Sequence, residues 1–418
     1  MVELPPTNTL APHEHSLANG RKLYYFPSAT ELIKIDLLCE AGSAYQQRPL
    51  VAAAANKLFT VASENMDAER LSEFMDFRGI IVESNNTALQ SSVTLYTLSR
   101  HIDNLLPVLD DLVHQPLFPQ REFDIYRNER HQKILASQQK SSDMARRLFY
   151  EKLFGPDHPL GRYAVPDDAL RLNLLDVKQH FADFHRPGDT TIVLAGHVDD
   201  RLLAAVDDRF GHDTPSHSPK HLTLQPSPIL NSQLSTFNYP IPTSVQSTLR
   251  VGRILPLRWD DINYARLTIL VTILGGYFGS RLMSNLREDK GYTYGIYART
   301  QIYRGVILFY ITADVAGNAT KEAGNEIMNE LQRLIDEPVA AEELDLVRTV
   351  LVGDFLRSVA GIFERSARFC DMLGSDITEL FTDNLREAIL TTTPADLQHL
   401  ASTYLAPEQM TVCRAGVL

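Results

Sequence analysis

The chain repeats itself at long range. Residues 174–196 read LLDVKQHFADFHRPGDTTIVLAG, and residues 394–416 read PADLQHLASTYLAPEQMTVCRAG. Asp176 matches Asp396, Phe184 matches Tyr404, Thr191 matches Thr411, and Ala195-Gly196 matches Ala415-Gly416. The offset between partners is a constant 220 residues (396 less 176, 416 less 196). Each copy reads as a helix with Asp in its first turn, a Pro-containing turn, and a short strand closed by Ala-Gly. A second pair agrees: DLVHQPLFPQREFD at 111–124 resembles RLIDEPVAAEELD at 333–345, a helix end, a Pro break and a new acidic-started helix in each. An internal repeat constrains architecture more than local propensity does. The expected molecule is two copies of one design.

The join falls at 211–233, GHDTPSHSPKHLTLQPSPILNSQ, rich in Pro, Ser, Thr and His as linkers are. The expected division is a first domain at 1–212, a linker at 213–233 and a second domain at 234–418. In the first half, KLYYFP and ELIKIDLLCEAGSAY read as strands, and a helix follows around 50–62. IIVESN and ALQSSVTLYTL read as a hairpin turning at Asn85-Asn86. Long amphipathic helices fill about 101–153. Runs of strands followed by runs of helices predict an α+β fold, each half a largely antiparallel sheet with helices on one face.

Bulk properties narrow the function. The 418 residues exceed one ordinary core. A hydrophobic share of 44% and a charged share of 22% belong to a globular protein. The net charge of −12 disfavours nucleic acid and anionic membrane as partners. Cys39, Cys370 and Cys413 are too widely spaced for a thiolate metal site or a disulfide framework and read as free thiols. The N-terminus shows no basic segment followed by an apolar one, and no apolar run has membrane-spanning length. A cytoplasmic location is expected if the chain is complete, and a periplasmic one if a signal has been removed.

The segment 286–295, LREDKGYTYG, carries the functional signal. A helical run ends at Arg287 and Glu288, turns at Gly291, and enters an aromatic strand from Tyr292 to Tyr297. Together with its lead-in, GGYFGSRLMSNLRE at 275–288, it resembles the second-half signature of the pitrilysin/insulinase-type zinc peptidases, the family that includes mitochondrial processing peptidase. The resemblance covers nearly the whole chain. It implies two homologous domains related by pseudo-symmetry (a LuxS/processing-peptidase-like architecture) that face each other across a peptide-binding space.

That family carries His-x-x-Glu-His on an early helix, two imidazoles on one face holding zinc and a glutamate polarising its water. AGSAYQQ at 41–47 and Leu58-Phe59 match the surroundings, and they set the motif on Ala52-Ala53-Ala54-Ala55-Asn56. Alanine offers no lone pair and Asn56 only a neutral amide. The degenerate positions Ala52, Ala55 and Asn56 therefore predict no metal and no cofactor, and the alanines read simply as strong helix formers. The third-ligand carboxylate falls near Ala136; Glu129, the nearest acid upstream, reads as a solvated helix residue. His13-Glu14-His15 lies in a Pro-flanked terminal segment where catalysis is not expected. His217 and His221 are four apart, but Pro219 between them disfavours a helical ligand pair.

The resemblance also implies that an Arg and a Tyr seven residues apart hold substrate, and Arg287 and Tyr294 match. Arg287 offers a fork of donors for a carbonyl or carboxylate; Tyr294 offers one O–H for a developing oxyanion. Tyr292 and Tyr294 share a face if the strand is regular. The alternative for these residues is ordinary helix-end charge and strand aromatics. An extended peptide can add to a sheet edge, and 244–251, SVQSTLRV, is the second-half candidate for that edge. The expected function is a non-catalytic subunit of a probably heterodimeric zinc peptidase, lending Arg287 and Tyr294 to the zinc site of a homologous partner chain. A homodimer is the other assembly considered. The competing reading is a purely structural or peptide-binding protein of the same fold.

Overall fold

The computed structural model of the protein describes residues 11–215, 222–225 and 234–417. His217 and His221, with most of the expected linker, lie outside the described residues. The first half contains strands β1 (His13–Ser16), β2 (Lys22–Pro27) and β3 (Leu32–Cys39), then helix α1 (Val51–Leu58) and strand β4 (Ala62–Ser63). Helix α2 (Ala68–Arg78), strands β5 (Ile81–Asn86) and β6 (Ser91–Leu98), helix α3 (Ile102–His114) and strand β7 (Pro116–Leu117) follow. The half ends with α4 (Gln120–Ser137), α5 (Ser141–Phe154), α6 (Pro166–Leu170), α7 (Leu174–Phe184), β8 (Thr191–Gly196) and α8 (Asp200–Phe210). The second half contains β9 (Ser235–Pro240), β10 (Gln246–Leu255), α9 (Ile262–Gly275), β11 (Thr293–Tyr303) and β12 (Val306–Ala316). It closes with α10 (Thr320–Asp336), α11 (Ala341–Ser358), α12 (Ile362–Ser375), α13 (Leu380–Thr391), α14 (Pro394–Tyr404) and β13 (Thr411–Gly416).

The repeat is visible in the pairing. One sheet runs β1-β2-β8-β3-β6-β5 and the other runs β9-β13-β10-β12-β11. Both are antiparallel except at one place, where β8 lies parallel to β2 and β13 lies parallel to β9. Helices α7 and α14 begin and end 220 residues apart, as do β8 and β13. Both repeat strands end in a left-handed glycine, Gly196 at φ 108° and Gly416 at φ 126°, a conformation that only glycine adopts without strain. The α+β fold with helices packed on each sheet is as expected.

The opposite sheet faces are covered by exchanged helices. Helix α5 of the first half packs Phe149, Leu153 and Phe154 onto Ile254, Leu308 and Cys413 of the second sheet. Helix α12 of the second half packs Phe369, Cys370 and Leu373 onto Phe26, Leu38 and Val193 of the first. Lys34 and Asp36 form a buried ion pair at 2.9 Å beneath α12, and Ser366 accepts from the Lys34 ammonium at 3.0 Å.

Four local expectations change. Asn85 and Asn86 do not form the turn; they finish β5, paired with Ser92 and Ser91, and the chain reverses at 87–90, where the Thr87 N–H donates to the Gln90 carbonyl. The helix expected over 50–62 stops at Leu58. His13-Glu14-His15 is not a loose terminus but edge strand β1, with His13 against the Tyr25 ring and Glu14 paired with Lys22. The segment 244–251 is not an edge: β10 is flanked by β12 and β13, and the edges of its sheet are β9 and β11. No helix among the described residues is long and apolar enough to cross a membrane.

Candidate functional site

The segment bearing Arg287 is built as a braced corner. Helix α9 is apolar on nearly every side and fills the core between β11 and the outer helices. It ends at Gly275, a position only glycine can fill, since a Cβ there would lie 2.6 Å from the Ala298 backbone nitrogen of β11. A turn at Tyr277, closed by the Ser280 N–H donating to its carbonyl, leads into a π-helical turn, Met283–Asp289, that carries Arg287. Such wide turns recur at functional positions. Three polar ties hold the segment from behind. Arg281 makes a two-pronged pair with Glu343 at 2.9 and 2.7 Å, Asn285 donates to buried Glu330 at 2.6 Å, and Lys290 pairs with Glu326 at 2.5 Å. The hydrogen bond from Lys290 holds the Glu326 carboxyl below its ordinary range. Gly291, at φ 64°, then turns the chain, and the Tyr292 N–H closes on the Leu286 carbonyl at 2.8 Å.

Strand β11 opens with a bulge. Thr293 pairs with Val315 and Ile296 with Ala313, so Tyr294 and Gly295 share one place in the ladder. The Thr293 hydroxyl fixes the bulge by donating to the Asp314 carbonyl at 2.6 Å and accepting from the Gly295 N–H at 3.0 Å. A bulge breaks the two-residue alternation and re-aims a side chain. Tyr292 consequently packs against the core, whereas Tyr294 stands 90% exposed. The two do not share a face as a regular strand requires. The Arg287 guanidinium lies over the Phe278 ring, 4.4 Å from its centroid. No carboxylate among the described residues pairs with it, so its donor edges are open.

In the first half, helix α1 lies where α9 lies in the second. It packs against α7 and beneath β5 and β6. The Gln46 side chain accepts from the Ala52 N–H at 3.1 Å, substituting for a cap at the N-terminus of α1. Ala52 and Ala55 are fully buried, and Asn56 is 2% exposed. Both amide hydrogens of Asn56 go to the sheet, to the Asn85 carbonyl at 2.8 Å and the Ser92 carbonyl at 2.9 Å. Glu129 pairs with Lys133 on the exposed side of α4, and Ala136 is exposed near its end. Zinc does not fit these residues. The alanines have no lone pair to offer, and Asn56, its amide hydrogens held by two carbonyls, has only a neutral oxygen, a poor zinc donor. Among the described residues no three His, Cys, Asp or Glu side chains converge into a metal-sized group.

Two features of the region escaped sequence reasoning. His185 is buried beside Phe59 and Phe181 at the end of α1, and His180 is buried beside Phe184 and His185. Burial pushes the His185 imidazole down to about 3, with His180 adding to the effect, and burial also lowers His180, which meets the Ala41 carbonyl at 3.0 Å. They act as neutral rings of the core. Phe278 is the other; its sequence signal is only an aromatic residue between glycines, in GGYFG at 275–279.

Comparison with known proteins agrees with this fold. Residues 171–351 match the family model described as "Peptidase M16 inactive domain". A curated relative from Helicobacter pylori, described as "Non-peptidase homolog YmxG", is 22% identical over 70% of this chain and 67% of its own length. The crystal structure of a peptidase M16 inactive domain from Pseudomonas fluorescens superimposes with a TM-score of 0.84 at 20% identity, covering 97% of this chain and 98% of that one. The periplasmic protease PqqL from Escherichia coli superimposes with a TM-score of 0.75 at 12% identity, and the match takes up 99% of this chain but only 47% of PqqL. The chain is thus similar to the pitrilysin/insulinase-type (M16) peptidases, with residues 171–351 matching the inactive domain of that family, and its sequence contains no His-x-x-Glu-His.

Proposed function

We propose that this protein is the non-catalytic subunit of a two-chain zinc peptidase and that it presents Arg287 and Tyr294 to a peptide bound at the zinc of a homologous sister subunit. The observation that carries the reading is the Arg287–Tyr294 corner itself. It is braced from behind by three polar ties, its arginine has open donor edges, and its tyrosine is lifted into solvent by a bulge. A charged fork and a phenol held open on a pinned element are placed to meet a ligand. Helix α1 explains why the zinc belongs elsewhere, since its motif positions serve packing and the tie to the sheet. The half-length match to PqqL supports a second, similar chain as the missing half.

The chemistry asked of this chain is binding and orientation. Arg287 donates to a substrate carbonyl or carboxylate. The Tyr294 hydroxyl donates to the oxygen on which charge develops when the scissile carbonyl is attacked. Strand β11, open along one side, offers main-chain groups to an extended peptide. The test is to co-express the chain with a homologous chain that has an intact His-x-x-Glu-His and to assay fluorescein-labelled β-casein cleavage. Activity should require both chains. Arg287→Ala should raise KM, and Tyr294→Phe should lower kcat by roughly 100- to 1000-fold, the range for loss of one oxyanion donor. Full activity of the sister chain alone would reject the reading and favour a purely structural or peptide-binding role.

A further inference from the structure

We infer that Phe278 is a positioning residue for Arg287, an aromatic platform that holds the guanidinium ready for substrate; the inference rests on the function proposed above. Phe278 is 62% exposed and belongs to none of the hydrophobic clusters of the molecule. A large ring left in solvent at the tip of a turn contributes little to folding. What it does touch is Arg287, whose guanidinium carbon sits 4.4 Å from the ring centroid.

The turn fixes the platform before any ligand arrives. The Ser280 N–H donates to the Tyr277 carbonyl at 3.2 Å, and the Ser284 N–H donates to the Ser280 carbonyl at 2.9 Å. The Arg281–Glu343 pair anchors the start of the same helical segment. The ring is therefore set by the backbone on one side of the corner, and the guanidinium comes to it from the other. An arginine side chain free in water has many rotamers to lose on binding. Stacking takes up one face of the guanidinium and spares its edge, where all five N–H donors lie. The arrangement fixes the plane in which Arg287 offers its two-pronged contact, without spending a donor. A carboxylate partner would also have held the arginine, but it would have competed with a substrate carbonyl or carboxylate.

Two measurements test the inference on the full chain paired with its zinc-bearing sister. The first is binding of fluorescein-labelled β-casein by anisotropy. Phe278→Leu should weaken it roughly two- to fivefold, the size of an exposed cation–π contact. Phe278→Trp should bind as the natural protein does, and Phe278→Leu should cost nothing further in an Arg287→Ala background. The second is the NMR order parameter of the Arg287 Nε–H group, which should fall in Phe278→Leu and recover in Phe278→Trp. The thermal midpoint should not move, because the ring is outside the core. Undiminished order of the Nε–H group in Phe278→Leu would overturn the inference. So would an equal loss of binding by Phe278→Leu with and without Arg287. If Arg287→Ala binds casein normally, the proposed function fails instead, and the order parameter alone decides the role of Phe278.

Discussion

On the registration that the sequence resemblance implies, Asn56 replaces a zinc-binding imidazole, and its amide is in structural use. Two donors from one side chain reach the ends of β5 and β6, joining the helix to the sheet edge at the residues where those strands meet. Removing the donor side would leave two partly buried carbonyls without partners, which costs more than the net worth of the bonds. Asn56→Ala should therefore destabilise the chain by about 1–3 kcal/mol. Urea unfolding would show this as a lower midpoint with an unchanged slope. An unchanged midpoint would mean that water replaces the amide and that the contact is incidental. The sequence indicated that Asn56 is a poor zinc ligand, since that follows from its functional group. It did not indicate the tie to the sheet, because the two carbonyls lie at 85 and 92 and backbone acceptors leave no trace in composition.

Elements were legible where their signal is local and obscure where it depends on neighbours. Helices α7 and α14 and strands β8 and β13 were visible because the periodicity and the closing glycine recur at a fixed offset. The β5–β6 turn lies at 87–90, beyond the expected Asn85-Asn86. Asn86 extends the ladder by donating to the Ser91 hydroxyl, and Thr87 closes the turn with its own side chain. Segment 244–251 is expected at an edge, but it lies in the central strand β10, which carries Arg250 and Arg253. Both are accommodated in the interior of the sheet, Arg250 over the Tyr310 ring and Arg253 against the Gln409 side chain. The end of α3 shows a pairing that no local pattern announces. His114 bonds Asp110 through Nδ1 and Asp213 through Nε2, at 2.7 and 3.0 Å, and so ties the helix to the chain leaving α8. Burial works against its charge, but the hydrogen bonds to Asp213 and Asp110 prevail and raise its pKa above 6.5. A raised folded value means that the stabilisation is fully present below 6.5 and is lost as pH rises through the folded pKa. The thermal midpoint of the natural protein should exceed that of His114→Gln most in mildly acidic buffer, and the gap should narrow towards alkaline pH. A gap that widens with pH would show that the imidazole is neutral and that the tie has another origin.

At the scale of the molecule the two copies are not independent beads. We propose the division into domains 1–212 and 234–418 joined by 213–233, with the sheets assigned accordingly, but the helices α5 and α12 lie across it. Each completes the far face of the other half's sheet. The buried Lys34–Asp36 pair belongs to the first sheet, where Thr94 also donates to Asp36, yet two more of its partners, Ser366 and Cys370, come from α12. A lone first half would leave Phe26, Leu38 and Val193 bare and the ion pair short of a hydrogen-bond partner; a lone second half would bare Ile254 and Leu308. Exposed apolar faces of this kind drive association, and a buried charge pair that loses its satisfaction becomes a liability. Fragments 1–212 and 234–418 produced separately should aggregate or bind a hydrophobic dye, and co-expression should return a one-to-one complex with a single cooperative melt. The same dependence bears on function, because α5 stacks on the sheet whose edge strand β11 carries Tyr294. Casein binding by the Arg287–Tyr294 corner should be absent from fragment 234–418 alone and restored in the complex. A second half that is monomeric, dye-silent and able to bind by itself would refute the coupling and leave the exchanged helices as mere cladding.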